Sequence, residues 1–137
     1  MKLFKIVLIL SVIFISGCVS QEQTKKEKFS LTEDCMVTIA GVIFRNDTAI
    51  SIAPWECRRP IDFNYSRGYG NYSIVFLDKD GKILDEIKSS IDWYRGGTQV
   101  NKAIFIEEVP AKRGTSEILI KHFDKVLLRE PVSIHNP

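Results

Sequence analysis

Histidine, cysteine and long apolar runs are all scarce in this chain, and each scarcity excludes something. Among 137 residues there are two histidines and three cysteines. Only His122 and His135 could serve as acid or base near neutral pH, and neither lies in a recognisable catalytic motif. Both read as satisfied or solvent-exposed side chains. No cysteine or histidine set has the short intervals of a zinc site, and no glycine loop has the spacing that cradles phosphate. Catalytic residues, a metal site and a cofactor are therefore not expected. An excess of one charge is missing too. The 19 Lys and Arg include Lys2 and Lys5, which belong to a segment built for removal, and the remaining 17 match the 17 Asp and Glu. A formally neutral mature chain gives no reason to expect nucleic acid.

The single long apolar run, residues 6–15, is broken only by Ser11. At about ten residues it is half of what a membrane-crossing helix needs. Preceded by Lys2 and Lys5 and followed by small residues, it reads as an export signal. The closing residues Ile15-Ser16-Gly17-Cys18 resemble the lipobox of prokaryotic lipoproteins: an aliphatic residue, two small residues, then cysteine. That resemblance implies cleavage after Gly17 and a diacylglycerol thioether on Cys18, which anchors the protein on the extracytoplasmic face of the cell membrane. A conventional signal peptide with a chance cysteine is the alternative. The chain then divides into a signal peptide (1–17), a lipidated cysteine with a flexible polar tether (18–34) and one small domain (35–137).

With Cys18 lipidated, Cys35 and Cys57 remain, an even pair in an exported domain. If residues 36–44 and 48–55 form a hairpin turning at Asn46-Asp47, facing residues have numbers that sum to about 92 or 93, and Cys35 and Cys57 sum to 92. A disulfide across the open end of the hairpin is expected, against the alternative of a reactive or metal-binding pair.

From residue 35 onward the chain alternates strands and turns. Val37, Ile39 and Ile43 mark one face of the first strand, and Ile50 and Ile52 are expected to continue that alternation in the second. Residues 71–77 are apolar on both faces, with Tyr72, Ile74 and Phe76 on one side and Val75 and Leu77 on the other, which suggests a central strand. Asp78-Lys79-Asp80-Gly81, with Asp85 and Glu86 beyond, has a superficial likeness to a calcium loop. Its glycine falls fourth rather than sixth and Ile83 and Leu84 follow, so it reads as a tight turn. Strands follow at 82–87, 102–107, 116–122 and 125–130. About seven short strands, no amphipathic helix and no repeat define an all-β sandwich.

The segments Tyr72 to Leu84, Val109-Pro110 before Gly114-Thr115, Ile118-Leu119-Ile120, and Val126-Leu127-Leu128 before Pro131-Val132-Ser133 resemble immunoglobulin or fibronectin type III-like modules. Over roughly residues 70–137 the resemblance implies a single sandwich that binds or spaces other molecules rather than catalysing. Residues 54–72 concentrate Arg58, Arg59, Tyr65, Arg67 and Tyr69 beside Trp55 and Phe63, and Trp93-Tyr94-Arg95-Gly96-Gly97 has the same character. Tyr and Arg offer contact area and forked hydrogen bonds, so Arg58, Arg59, Tyr65, Arg67, Tyr69, Tyr94 and Arg95 are candidate partner-binding residues. In the competing reading these segments plug the sandwich, and Trp55 and Trp93 lean that way. Asn46, Asn64 and Asn71 each begin an Asn-x-Ser/Thr triplet, which is glycosylated only in some hosts. The expected function is a lipid-tethered, non-catalytic binding or assembly module for a protein or glycan, the alternative being an inhibitor or regulator of an extracytoplasmic enzyme.

Overall fold

The computed structural model describes residues 27–60 and 68–135. The expected signal, the lipid attachment at Cys18, and Phe63, Asn64, Tyr65 and Arg67 lie outside the described residues. What is described is all-β: β1 (Cys35–Phe44), β2 (Ala49–Ser51), β3 (Trp55–Pro60), β4 (Tyr72–Leu77), β5 (Ile83–Ser89), β6 (Tyr94–Arg95), β7 (Thr98–Gln99), β8 (Lys102–Ala111), β9 (Glu117–His122) and β10 (Lys125–Ile134). The seven expected strands are all present. The count rises because the expected second strand ends early as β2 and a further strand, β3, begins at Trp55 and runs into the segment expected as a loop, and because a short β6–β7 hairpin turns at Gly96 and Gly97, both at positive φ.

Hydrogen bonding runs in the order β2–β1–β3–β10–β9–β4–β5, with β8 on the other edge of β1. Strand β10 joins two layers, since its residues 125–131 pair antiparallel with β9 while 132–134 run parallel to β3. The inner faces of the two layers share one core. Val37, Ile39, Ile43, Trp55, Phe105 and Val109 come from one side, and Tyr72, Ile74, Phe76, Ile87, Ile118 and Ile120 from the other. Every residue of β4 is buried, as expected of a strand flanked on both edges, by β9 and β5. Val75 and Leu77 form a separate small cluster with Leu119.

The β1–β2 hairpin has the expected register: Gly41 faces Ser51, Val42 faces Ile50 and Ile43 faces Ala49. That register corrects the expectation for Ile50 and Ile52. Facing residues of an antiparallel pair project to the same side, so Ala49 shares the inner face with Ile43, whereas Ile50 shares the outer face with Val42. Ile50 and Ile52 are exposed, and so are Ile104 and Ile106 of β8, across β1 from them. Gly41 is dictated by its neighbours, because a Cβ there would lie 2.7 Å from the ring of Phe105 and 2.9 Å from the carbonyl oxygen of Ile50.

Cys35 and Cys57 are joined, with Cα atoms 5.8 Å apart. Their placement differs from the expected direct opposition. The return strand breaks before Trp55, and a register shift falls between Met36 and Val37, so Cys57 faces Val37 and Cys35 faces Pro60. The bond spans the diagonal, within the Cα separation that disulfides require. Trp55, fully buried, donates its indole N–H to the Ala40 carbonyl at 3.0 Å, which satisfies the one polar atom of a large core side chain.

Residues 29–31, expected to belong to the tether, are instead bound to the sandwich. Leu31 is buried, its N–H donates to the Thr115 carbonyl and its own carbonyl accepts from Gly114, both at 2.8 Å. The Ser116 hydroxyl donates to the Phe29 carbonyl at 2.6 Å. One aliphatic side chain in a polar stretch suffices to dock it once backbone partners are available.

Candidate functional site

The sandwich carries a solvent-open cleft of about 360 Å³ at the end where the β1–β2 turn lies. Three local conformations build it. In the turn, Phe44 and Thr48 close the hairpin through a 2.8 Å backbone bond, the Asn46 carboxamide accepts from Thr48, and Asp47 takes a left-handed conformation with φ of 59°. Asp is among the few non-glycine residues that adopt this region readily. At the β9–β10 turn Phe123 has φ of 49°, and its N–H donates to the Asn71 carbonyl at 3.0 Å. The third is the segment 68–70, which presses on β5 so closely that a Cβ on Gly68 or Gly70 would collide with the carbonyl oxygens of Lys88 and Ser89.

These turns bring charged and aromatic side chains together. His122 Nδ1 lies 2.7 Å from Asp47 Oδ1, and its ring stacks on Tyr72 with centroids 4.4 Å apart and planes 13° from parallel. A carboxylate only accepts, so Nδ1 carries the proton, and in the neutral ring Nε2 is left as an acceptor. Arg45 sits 5.3 Å over the Trp93 ring, and its Nε–H donates to the Val100 carbonyl at 3.1 Å. Burial holds the Tyr72 phenol above its ordinary 10.0, and the Asp47 charge adds to that; a hydrogen bond with Trp93 and the charge of Arg45 act in the opposite direction. Asn71, Ser90 and Ile91 complete the lining, and Tyr69 stands at its edge with 83% of its surface exposed.

The candidate partner-binding residues separate into two groups. Tyr69 lines the cleft, and Tyr94 and Arg95, both exposed, follow directly on Trp93. Arg58 and Arg59 lie on β3 beside the start of β1, whereas Arg45 follows its end, about 30 Å away at 3.3 Å per residue. There Arg59 pairs with Glu108 at 2.7 Å, Arg58 lies 3.9 Å from Glu56, and His135 Nδ1 is 2.7 Å from the same Glu56. Six residues of the 54–72 segment, read as a loop with candidate binding residues, form strand β3, with Trp55 in the core. Trp93 is partly buried and packs against the core, while also lining the cleft. Arg45, Asp47 and His122 were not marked out as binding residues by the sequence; only the Asn46-Asp47 turn pointed to that end of the fold.

The Asp78 carboxylate accepts from the backbone N–H groups of Asp80 and Lys82, both at 2.9 Å, while Gly81 takes φ of 83°. It holds a turn. Among the described residues no group of three or more His, Cys, Asp or Glu is arranged to hold a metal ion.

Comparison with known proteins finds no matching family model, no matching curated protein and no matching solved structure.

Proposed function

We propose that the chain is a lipoprotein anchored through Cys18 on the extracytoplasmic face of the membrane, whose immunoglobulin or fibronectin type III-like sandwich is a non-catalytic binding or assembly module for a protein or glycan. The observation that carries the binding part is the cleft, where Tyr69, Tyr72 and Trp93 meet Arg45, Asp47 and His122. Aromatic walls with a few convergent polar groups are the usual composition of a ligand site. The anchor rests on Ile15-Ser16-Gly17-Cys18, and the module reading on two layers of mostly antiparallel strands around one core.

Cell fractionation and in-cell crosslinking test the two parts. The Cys18→Ser protein should leave the membrane fraction or remain as unprocessed precursor, and a Cys18→Ser protein that stays membrane-bound at the normal mature mass would refute the anchor. Crosslinking of the wild-type protein followed by mass spectrometry should recover a recurring partner; recovery of none refutes the module reading for protein partners.

A further inference from the structure

We propose that the cleft binds a neutral saccharide, with one sugar ring stacked on Tyr69 and its hydroxyl edge turned towards Asp47 and His122. This rests on the reading of the domain as a binding module and names its ligand class.

Charge is the first selector. The lining holds one guanidinium, Arg45, and one carboxylate, Asp47, so the formal charges cancel when His122 is neutral. A phosphate or carboxylate ligand would meet Asp47, and an ammonium ligand would meet Arg45. Arg45 is moreover already committed to the Val100 carbonyl and the Trp93 face. A ligand without net charge avoids both penalties.

Hydrogen-bonding capacity is the second. When the His122 ring is neutral, its hydrogen bond from Nδ1 to Asp47 Oδ1 leaves Oδ2 and Nε2 as acceptors, and Asn71, with an amide, and Ser90, with a hydroxyl, are among the residues of the same lining. Acceptors of two kinds beside mixed donors call for a ligand whose groups both donate and accept. Sugar hydroxyls do this, and neighbouring hydroxyls on a ring can answer two acceptors at once.

The third selector is the exposed aromatic. Tyr69 lies between Gly68 and Gly70, whose close approach to Lys88 and Ser89 pins the backbone on both sides. Tyr69 is nonetheless left 83% exposed at the edge of a cleft. A flat apolar surface held in water at the mouth of a cleft that holds a few polar groups matches the C–H face of a pyranose, which is apolar on one side and hydroxylated at its edge. The volume of about 360 Å³ is near the lower end for small-molecule sites and suits one or two sugar rings.

The full-length lipoprotein, extracted in a detergent that carries no sugar, is examined by saturation-transfer NMR against cellobiose, chitobiose and lactose, with trialanine as the peptide probe. Saturation should reach the ring protons of at least one disaccharide. Tyr69→Ala, at an unchanged melting temperature, and Asp47→Asn, with the protein still folded, should each weaken that binding about tenfold or more, while Arg58→Ala, at the opposite end, leaves it intact. Transfer to no disaccharide, transfer to trialanine alone, or wild-type affinity in both cleft variants would overturn the saccharide assignment. A crosslinked protein partner found alongside any of those results would leave the module reading standing and remove only its ligand class.

Discussion

Asp47 and His122 are 75 residues apart in sequence, and their side chains meet at 2.7 Å. The contact ties the β1–β2 turn of one layer to the end of β9 in the other, and Lys125 reinforces it by donating to the Asp47 carbonyl at 2.8 Å. Stacking of His122 on Tyr72 carries the link into the core. One end of the sandwich is thus closed by polar and aromatic contacts that also form the wall of a cleft.

Asp47→Ala should destabilise the domain by about 2 kcal/mol, because it removes the hydrogen bond to His122, worth roughly 1 kcal/mol, and places a Cβ residue of poor left-handed propensity at φ of 59°. Asp47→Asn keeps an acceptor and tolerates that backbone, so it should cost less than about 1 kcal/mol. Urea unfolding of the two variants measures the difference. Equal losses would mean that neither the backbone nor the acceptor matters. Nitrogen-detected NMR of wild-type protein should show the neutral His122 ring protonated on Nδ1.

The Cys35–Cys57 bond closes a separation of 22 residues. In the loop-entropy treatment such a crosslink is worth roughly 3 kcal/mol. The double variant Cys35→Ser, Cys57→Ser should lose about that much stability, and non-reducing peptide mapping of the domain should recover the two cysteines as one linked peptide. Two free thiols in the native protein would rule the bond out.

Tyr72 sets an alkaline limit on stability. Burial, and then the Asp47 charge, raise its pKa above 10.0 in the folded state. The unfolded chain releases this proton first, so the stabilisation is complete below about pH 10 and is lost as pH rises through the higher folded value. Tyr72→Phe should flatten that part of the profile when unfolding free energy is measured at a series of alkaline pH values. Parallel curves would show that Tyr72 ionises as readily folded as unfolded.

Local pattern made much of this fold legible. The apolar faces of Tyr72–Leu77 marked the central strand, and the hairpin register about Asn46-Asp47 holds at Gly41, Val42 and Ile43. Where that register was extended past Ser51, the pairing shifted: Pro54 has no N–H for a ladder, and β3 resumes with Cys57 opposite Val37. The faces of Ile50 and Ile52 were misjudged because a one-residue change of parity exchanges inside for outside. The cleft was illegible for a different reason. Arg45 and Asp47, Trp93, and His122 come from three separate places, the β1–β2 turn, the segment before β6 and the end of β9, and only the stacking of two layers brings them together.

The two groups of candidate binding residues make the last prediction. Arg58 and Arg59 lie about 30 Å along β1 from the turn that forms the cleft. A standard interface covers roughly 800 Å² of each partner, a disc about 30 Å across, so one centred on the cleft does not reach them. Arg59 already has Glu108 at 2.7 Å, an exposed ion pair of the kind worth roughly 0–1 kcal/mol. Arg58→Ala and Arg59→Ala should therefore leave partner capture unchanged and alter stability by less than about 1 kcal/mol. Tyr69→Ala and Tyr94→Ala should weaken capture by more than about 1 kcal/mol with little change in melting temperature, because both side chains are exposed. The measurement pairs thermal melting of each variant with quantitative capture of the crosslinked partner. If the two arginine variants weaken capture as much as the tyrosine variants do, the binding face runs along the length of the sandwich and the cleft is only one part of it.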